Sequence, residues 1–164
     1  ADANSIKTGT IMVSYTEPTN AISILDAMPL SDNDGKALTG TGKTFDFSVS
    51  TQATNALTVP YTISLTKVDT STLGNNEVKV YLTKGDTEVL APTLVSNLAD
   101  NAARSGSKTL YTTKDVYNGT GESAKITSYV LRMWVDKDVA VNNASTSKTY
   151  KALVNVDSAV NAIS

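Results

Sequence analysis

Ile126-Thr127-Ser128-Tyr129-Val130-Leu131-Arg132-Met133-Trp134-Val135 is the most apolar run in this chain of 164 residues. Its side chains alternate with the period of a strand: Tyr129, Leu131, Met133 and Val135 fall on one side, and Ile126, Val130 and Trp134 on the other. Both sides are largely apolar, which predicts a central strand covered on both faces. Arg132 interrupts the run, which is far shorter than the ~20 residues of a membrane helix.

The same period of two recurs on either side of this run. Ile11, Val13 and Tyr15 alternate up to a stop at Glu17-Pro18-Thr19-Asn20, and a short strand follows over residues 21–25. Ser31-Asp32-Asn33-Asp34-Gly35-Lys36 reads as a polar connection, after which Phe45, Phe47 and Val49 alternate. Leu57, Val59, Tyr61, Ile63 and Leu65 share a face in a segment that carries Pro60, so an edge position or a bulge is expected there. Val78, Val80 and Leu82, the turn Lys84-Gly85-Asp86-Thr87, and Val89-Leu90 read as a β-hairpin. Between Pro92 and Arg104 the spacing of Leu94, Val95, Leu98, Ala99, Ala102 and Ala103 changes to three and four, predicting one short helix ended by Gly106. Residues 108–113 form another strand before the turn Asn118-Gly119-Thr120-Gly121, and Tyr150, Ala152, Val154 and Val156 share a face in the last one.

Eight or nine short strands with one short helix make an all-β chain, an antiparallel two-sheet sandwich of jelly-roll or, alternatively, Ig-like type. Periodicity alone does not choose between the two. The expected core includes Phe45, Phe47, Ile63, Val130, Leu131, Trp134 and Val154. No repeat, low-complexity tract or linker divides the sequence, which predicts a single domain.

The 14 Lys and Arg against 16 Asp and Glu leave a net charge of -2, with no basic excess to recruit nucleic acid. Cysteine and histidine are both absent. That removes thiolate nucleophiles, disulfides, imidazole bases and zinc sites built from thiolate or imidazole. Carboxylates could still hydrolyse a glycoside, but no spacing brings two of them together, so no catalytic residues and no cofactor are expected.

Asp32-Asn33-Asp34-Gly35 has the alternation of a calcium loop, yet Leu30 stands where the first ligand belongs and no Glu follows at the required offset, so no metal site is expected. Asp136 and Asp138 could join a metal site only if another loop approached them; the alternative is a surface charge cluster. Trp134, Tyr129 and Tyr150 could stack on a sugar, but their place in the most apolar strands points to core. Asn118-Gly119-Thr120 and Asn143-Ala144-Ser145 are glycosylation sequons, and Lys151 with Asn155 is the nearest candidate pair for an isopeptide cross-link.

The chain starts at Ala1 without a methionine, from which a removed leader and export to a Gram-positive cell surface are expected. Asp2-Ala3-Asn4-Ser5-Ile6-Lys7-Thr8-Gly9-Thr10-Ile11 resembles the mature start of TasA and camelysin-type secreted fibre-forming proteins. Tyr129-x-Leu131-Arg132-Met133-Trp134 and Lys148-Thr149-Tyr150-Lys151 are similar to segments of secreted Firmicutes relatives. The resemblance implies a jelly-roll subunit of an extracellular fibre or biofilm matrix that lends its N-terminal segment as a strand to the next copy. It divides the chain into a donor segment, residues 1–8, and a sandwich domain, residues 9–164. Ile6 would be the principal anchor of the donor, with Ala1, Ala3 and Thr8 beside it and Gly9 as hinge. Its partners would be copies of itself in a head-to-tail homopolymer, with no nucleic acid and no membrane span. The alternatives are a strand paired within its own domain and, for function, a monomeric surface module that binds carbohydrate or another ligand.

Overall fold

Alternating apolar residues separated by Gly, Asn and Asp turns bury one face of each strand only if two sheets close on each other. The computed structural model describes residues 4–8, 11–16, 22–25, 29–40, 43–139 and 149–158, and has this architecture. Its strands are β1 (Asn4–Thr8), β2 (Ile11–Thr16), β3 (Ile22–Leu25), β4 (Phe45–Ala53), β5 (Leu57–Lys67), β6 (Val78–Lys84), β7 (Thr87–Leu94), β8 (Ser107–Tyr117), β9 (Lys125–Val135) and β10 (Thr149–Asp157). One sheet runs β1-β2-β4-β9-β6-β7 and the other β3-β10-β5-β8.

The pairing is nested. β3 pairs with β10, β4 with β9, β5 with β8 and β6 with β7, all antiparallel. Four nested antiparallel pairs, split alternately between two sheets, are the topology of a jelly roll, which resolves the choice that periodicity left open. The eight strands β3 to β10 complete that roll. β1 and β2 form an additional hairpin on the outer side of β4.

The space between the sheets holds Phe45, Phe47, Val49, Ile63, Leu65, Val80, Leu82, Leu131 and Val154, all buried. β9 is central as expected, flanked by β4 and β6. Its second face is covered only at one end: Trp134 is 1% exposed, Val130 is half-buried and Ile126 is 70% exposed. Val130 therefore leaves the expected core, and Trp134 is buried outside the main cluster, on the outer face of its sheet. Its cover is α1 (Asp32–Lys36), in the segment read as a polar connection. Ser31 caps that helix by accepting the Asp34 N–H at 3.2 Å, and a β-carbon on Gly35 would sit 2.2 Å from the Trp134 indole. Only glycine fits so close to the ring.

The helix expected between Pro92 and Arg104 is replaced by strand and turn. β7 continues to Leu94, and a 3-10 turn covers Val95–Asn97. Pro92 is tolerated because β7 is an edge strand and Ala91-Pro92 bulge opposite Tyr81 between the pairs Val80↔Thr93 and Leu82↔Leu90. Beyond the turn, the Ala99 carbonyl accepts the Thr109 N–H at 2.8 Å, so the ladder with β8 takes the backbone group that a helix would have used. β5 is an interior strand, and its bulge falls between Ile63 and Ser64 opposite β8, not at Pro60. Pro60 lies past the end of the β10 ladder, which stops at Asp157↔Thr62, so no partner there requires its missing N–H.

Candidate assembly edge and its surroundings

β1 folds back on β2 through the pairs Asn4↔Tyr15, Ile6↔Val13 and Thr8↔Ile11. β2 continues the sheet onto β4 through Ile11↔Ala53, Val13↔Thr51 and Thr16↔Ser48. Ile6 and Thr8, two of the expected donor residues, thus lie in a strand paired with their own chain, the arrangement held above as the alternative. Ala1, Ala3 and Gly9 lie outside the described residues. Among the described residues β1 has no ladder on its other side, so it forms one edge of the sheet, and β7 forms the other. An edge presents unpaired N–H and C=O groups that another chain's strand can satisfy.

The stretch of β4 that receives the hairpin is fixed to the opposite sheet by a polar network. Thr51, fully buried, donates its hydroxyl to Asp115 Oδ2 at 2.6 Å and lies 2.8 Å from the Tyr117 hydroxyl. Tyr117 in turn donates to the Thr51 carbonyl at 2.6 Å, and the Lys125 N–H donates to the Tyr117 oxygen at 3.3 Å. Lys125 Nζ lies 5.2 Å from the Tyr117 ring centroid. One row of pairs therefore runs Ile6, Val13, Thr51, with Thr51 bonded through to β8. Sequence reading missed this network because Thr51 and Asp115 are 64 positions apart and no motif links them.

A second inter-sheet contact joins the hydroxyls of Tyr61 (β5) and Tyr129 (β9) at 2.5 Å, and Tyr129 stacks on Phe47 with centroids 5.3 Å apart. Burial pushes the phenols of Tyr61 and Tyr129 above their ordinary range, and for Tyr129 the hydrogen bond with Tyr61 adds to the effect. Burial also raises that of Tyr150, whose hydroxyl donates to Asn75 Oδ1 at 2.7 Å.

The other candidate chemistries have structural addresses of their own. Asp32, Asp34 and Gly35 are part of α1, and among the described residues no group of three or more His, Cys, Asp or Glu could hold a metal. Another element does approach Asp136: Asp32 of α1 and Asp136 both face Lys79 Nζ, at 3.0 and 3.8 Å. With an ammonium between them, these two carboxylates form an ionic tie that fastens α1 to the sheet. Tyr129, Trp134 and Tyr150 are each at most 1% exposed and offer no stacking platform. Lys151 is exposed, and the Asn155 amide donates to Thr66 Oγ1 at 2.9 Å, unlike the apolar-buried lysine and free amide that an isopeptide bond requires. Asn118 is exposed in the β8–β9 loop, while Asn143-Ala144-Ser145 lies outside the described residues. No helix among the described residues is long and apolar enough to cross a membrane.

Compared with known proteins, no family model matches the chain, and no curated protein matches it significantly.

Proposed function

We propose that this chain is a structural subunit of an extracellular filament, a surface fibre or biofilm-matrix component, assembled head to tail by exchange of β1 and without catalytic activity. The observation that carries the reading is the surplus hairpin: β3 to β10 already complete the jelly roll, and β1 and β2 extend it by one edge. In the filament, β1 of one copy leaves its own β2 and takes the same register on β2 of the next. The hydrogen bonds made are those given up, so the balance between monomer and filament depends on the connection at residues 9–10 and on the concentration of neighbours. Each donation is head to tail and leaves a free strand at one end and a free edge at the other, so it does not close on itself. The place outside the cell is supported by the resemblance of residues 2–11 to TasA and camelysin-type fibre proteins.

Negative-stain microscopy of the full chain and of a chain lacking residues 1–8 tests the proposal. Filaments from the full chain and dispersed folded particles from the truncated one are expected. Equal filament yield from both would refute strand exchange, and a full chain that never polymerises would favour a monomeric ligand-binding module.

A further inference from the structure

We propose that Asn118 is a site of spontaneous modification, losing its side-chain amide through a cyclic imide closed by the backbone nitrogen of Gly119. The reaction needs a free nitrogen, room for it to swing onto the side-chain carbonyl carbon, and solvent. All three meet in the loop over residues 118–124 between β8 and β9. Asn118 is exposed, and the Gly119 N–H donates to no described residue. A β-carbon built on Gly119 would meet nothing within 4 Å. The Asn118 N–H donates to Glu122 Oε1 at 3.0 Å, which anchors the start of the loop and leaves the next peptide unit free.

The chain carries its own contrast. Asp34-Gly35 could form the same imide, but the Gly35 N–H donates to the Ser31 carbonyl at 2.9 Å, and Gly35 is buried against Trp134. The side chains of Asn101 and Asn155 are buried as well, and each is held by a hydrogen bond. Asparagine is thermolabile where nothing restrains it, and the structure singles out position 118 among these.

The chemistry is balanced by water alone. The Gly119 nitrogen gives its proton to solvent and bonds to Asn118 Cγ, and the amide nitrogen leaves as ammonia. Water then opens the imide at one of its two carbonyls, giving aspartate if the side-chain bond breaks and isoaspartate if the main-chain bond breaks. Either product adds a carboxylate to the residue whose backbone N–H is held by Glu122. Isoaspartate also lengthens the main chain beside Tyr117, whose hydroxyl fastens β8 to Thr51.

Peptide mapping of the folded full chain held warm at mildly alkaline pH tests this. The peptide spanning position 118 is expected to gain the mass difference between amide and carboxylate and to split into two isomers. The Asn118→Gln variant should lose that gain, and the peptide spanning Asp34 should stay single. An unchanged position 118 in the folded protein under conditions that convert the denatured chain would overturn the proposal, as would isomerisation of Asp34 at an equal rate.

Discussion

Two hairpins sit at opposite edges of the six-stranded sheet, and their local construction is alike. β6–β7 closes at Lys84↔Thr87 and β1–β2 at Thr8↔Ile11, each across two intervening residues. In the first, Gly85 supplies the positive φ of 56° that such a turn favours. The difference lies in what each hairpin is tied to. β6 pairs along its length with β9, and Val78, Val80 and Leu82 are fully buried between the sheets. Among the described residues β1 pairs with β2 alone, and the hairpin's ladder continues into the roll through β4. Local turn chemistry makes a hairpin, and its position in the nesting decides whether the fold can spare it.

The largest effect separates the roll from the hairpin by pH. Tyr61, Tyr129 and Tyr150 belong to β5, β9 and β10, and burial raises each phenol above its unfolded value of about 10. Their contribution to stability is present in full below that value and is lost as pH rises past it, because only the unfolded chain ionises them readily. The roll should unfold cooperatively in strong alkali, with the tyrosinate absorbance of these residues appearing together with the loss of β-sheet circular dichroism. Smooth ionisation in a folded protein would contradict their burial.

Next in size is the contrast between equivalent truncations. Leu82→Ala should cost about 2–5 kcal/mol by urea unfolding, since Leu82 is fully buried. Ile6→Ala should cost less, about 1 kcal/mol in a monomeric preparation, because β1 is an edge strand of a hairpin added to a roll that β3 to β10 already complete. Similar losses at the two positions would make β1–β2 as integral as β6–β7. Smaller than the loss at Leu82 is that of Tyr117→Phe, expected to cost about 1–3 kcal/mol because Thr51 loses its partner for a buried carbonyl. It should also loosen the part of β4 that carries the hairpin, seen as faster amide exchange at Thr51 than at Val80.

What could be read from the sequence was what depends on near neighbours. The alternation in 126–135 marked a central strand, and Gly85-Asp86 marked a hairpin; both are present. Jelly roll and Ig-like sandwiches share those local signals and differ in long-range pairing such as β3 with β10, which no turn or period encodes. The helix near Pro92 failed because Ala99 and Leu94 found ladder partners in β8 and β6 that outweigh a three-four spacing. α1 was missed although Ser31 followed by Asp34 is a capping signature, which a polar, glycine-containing segment disguised. Of the candidate site, periodicity marked β2 from Ile11 onward, whereas residues 4–8 entered as a strand only through the resemblance; their partner was not legible, since the same register can be satisfied within a chain or between chains.

Disulfide trapping across that register addresses strand exchange most directly. The chain has no cysteine, so one placed at Ile6→Cys in one copy and one at Val13→Cys in another report only on the Ile6↔Val13 pair. After the two variants are mixed, assembled and oxidised, the account predicts disulfide-linked pairs containing one chain of each kind. A chain carrying both substitutions should yield covalent ladders of many subunits. If the mixed single variants never cross-link and the doubly substituted chain closes only on itself, β1 stays on its own β2 and the exchange mechanism is wrong.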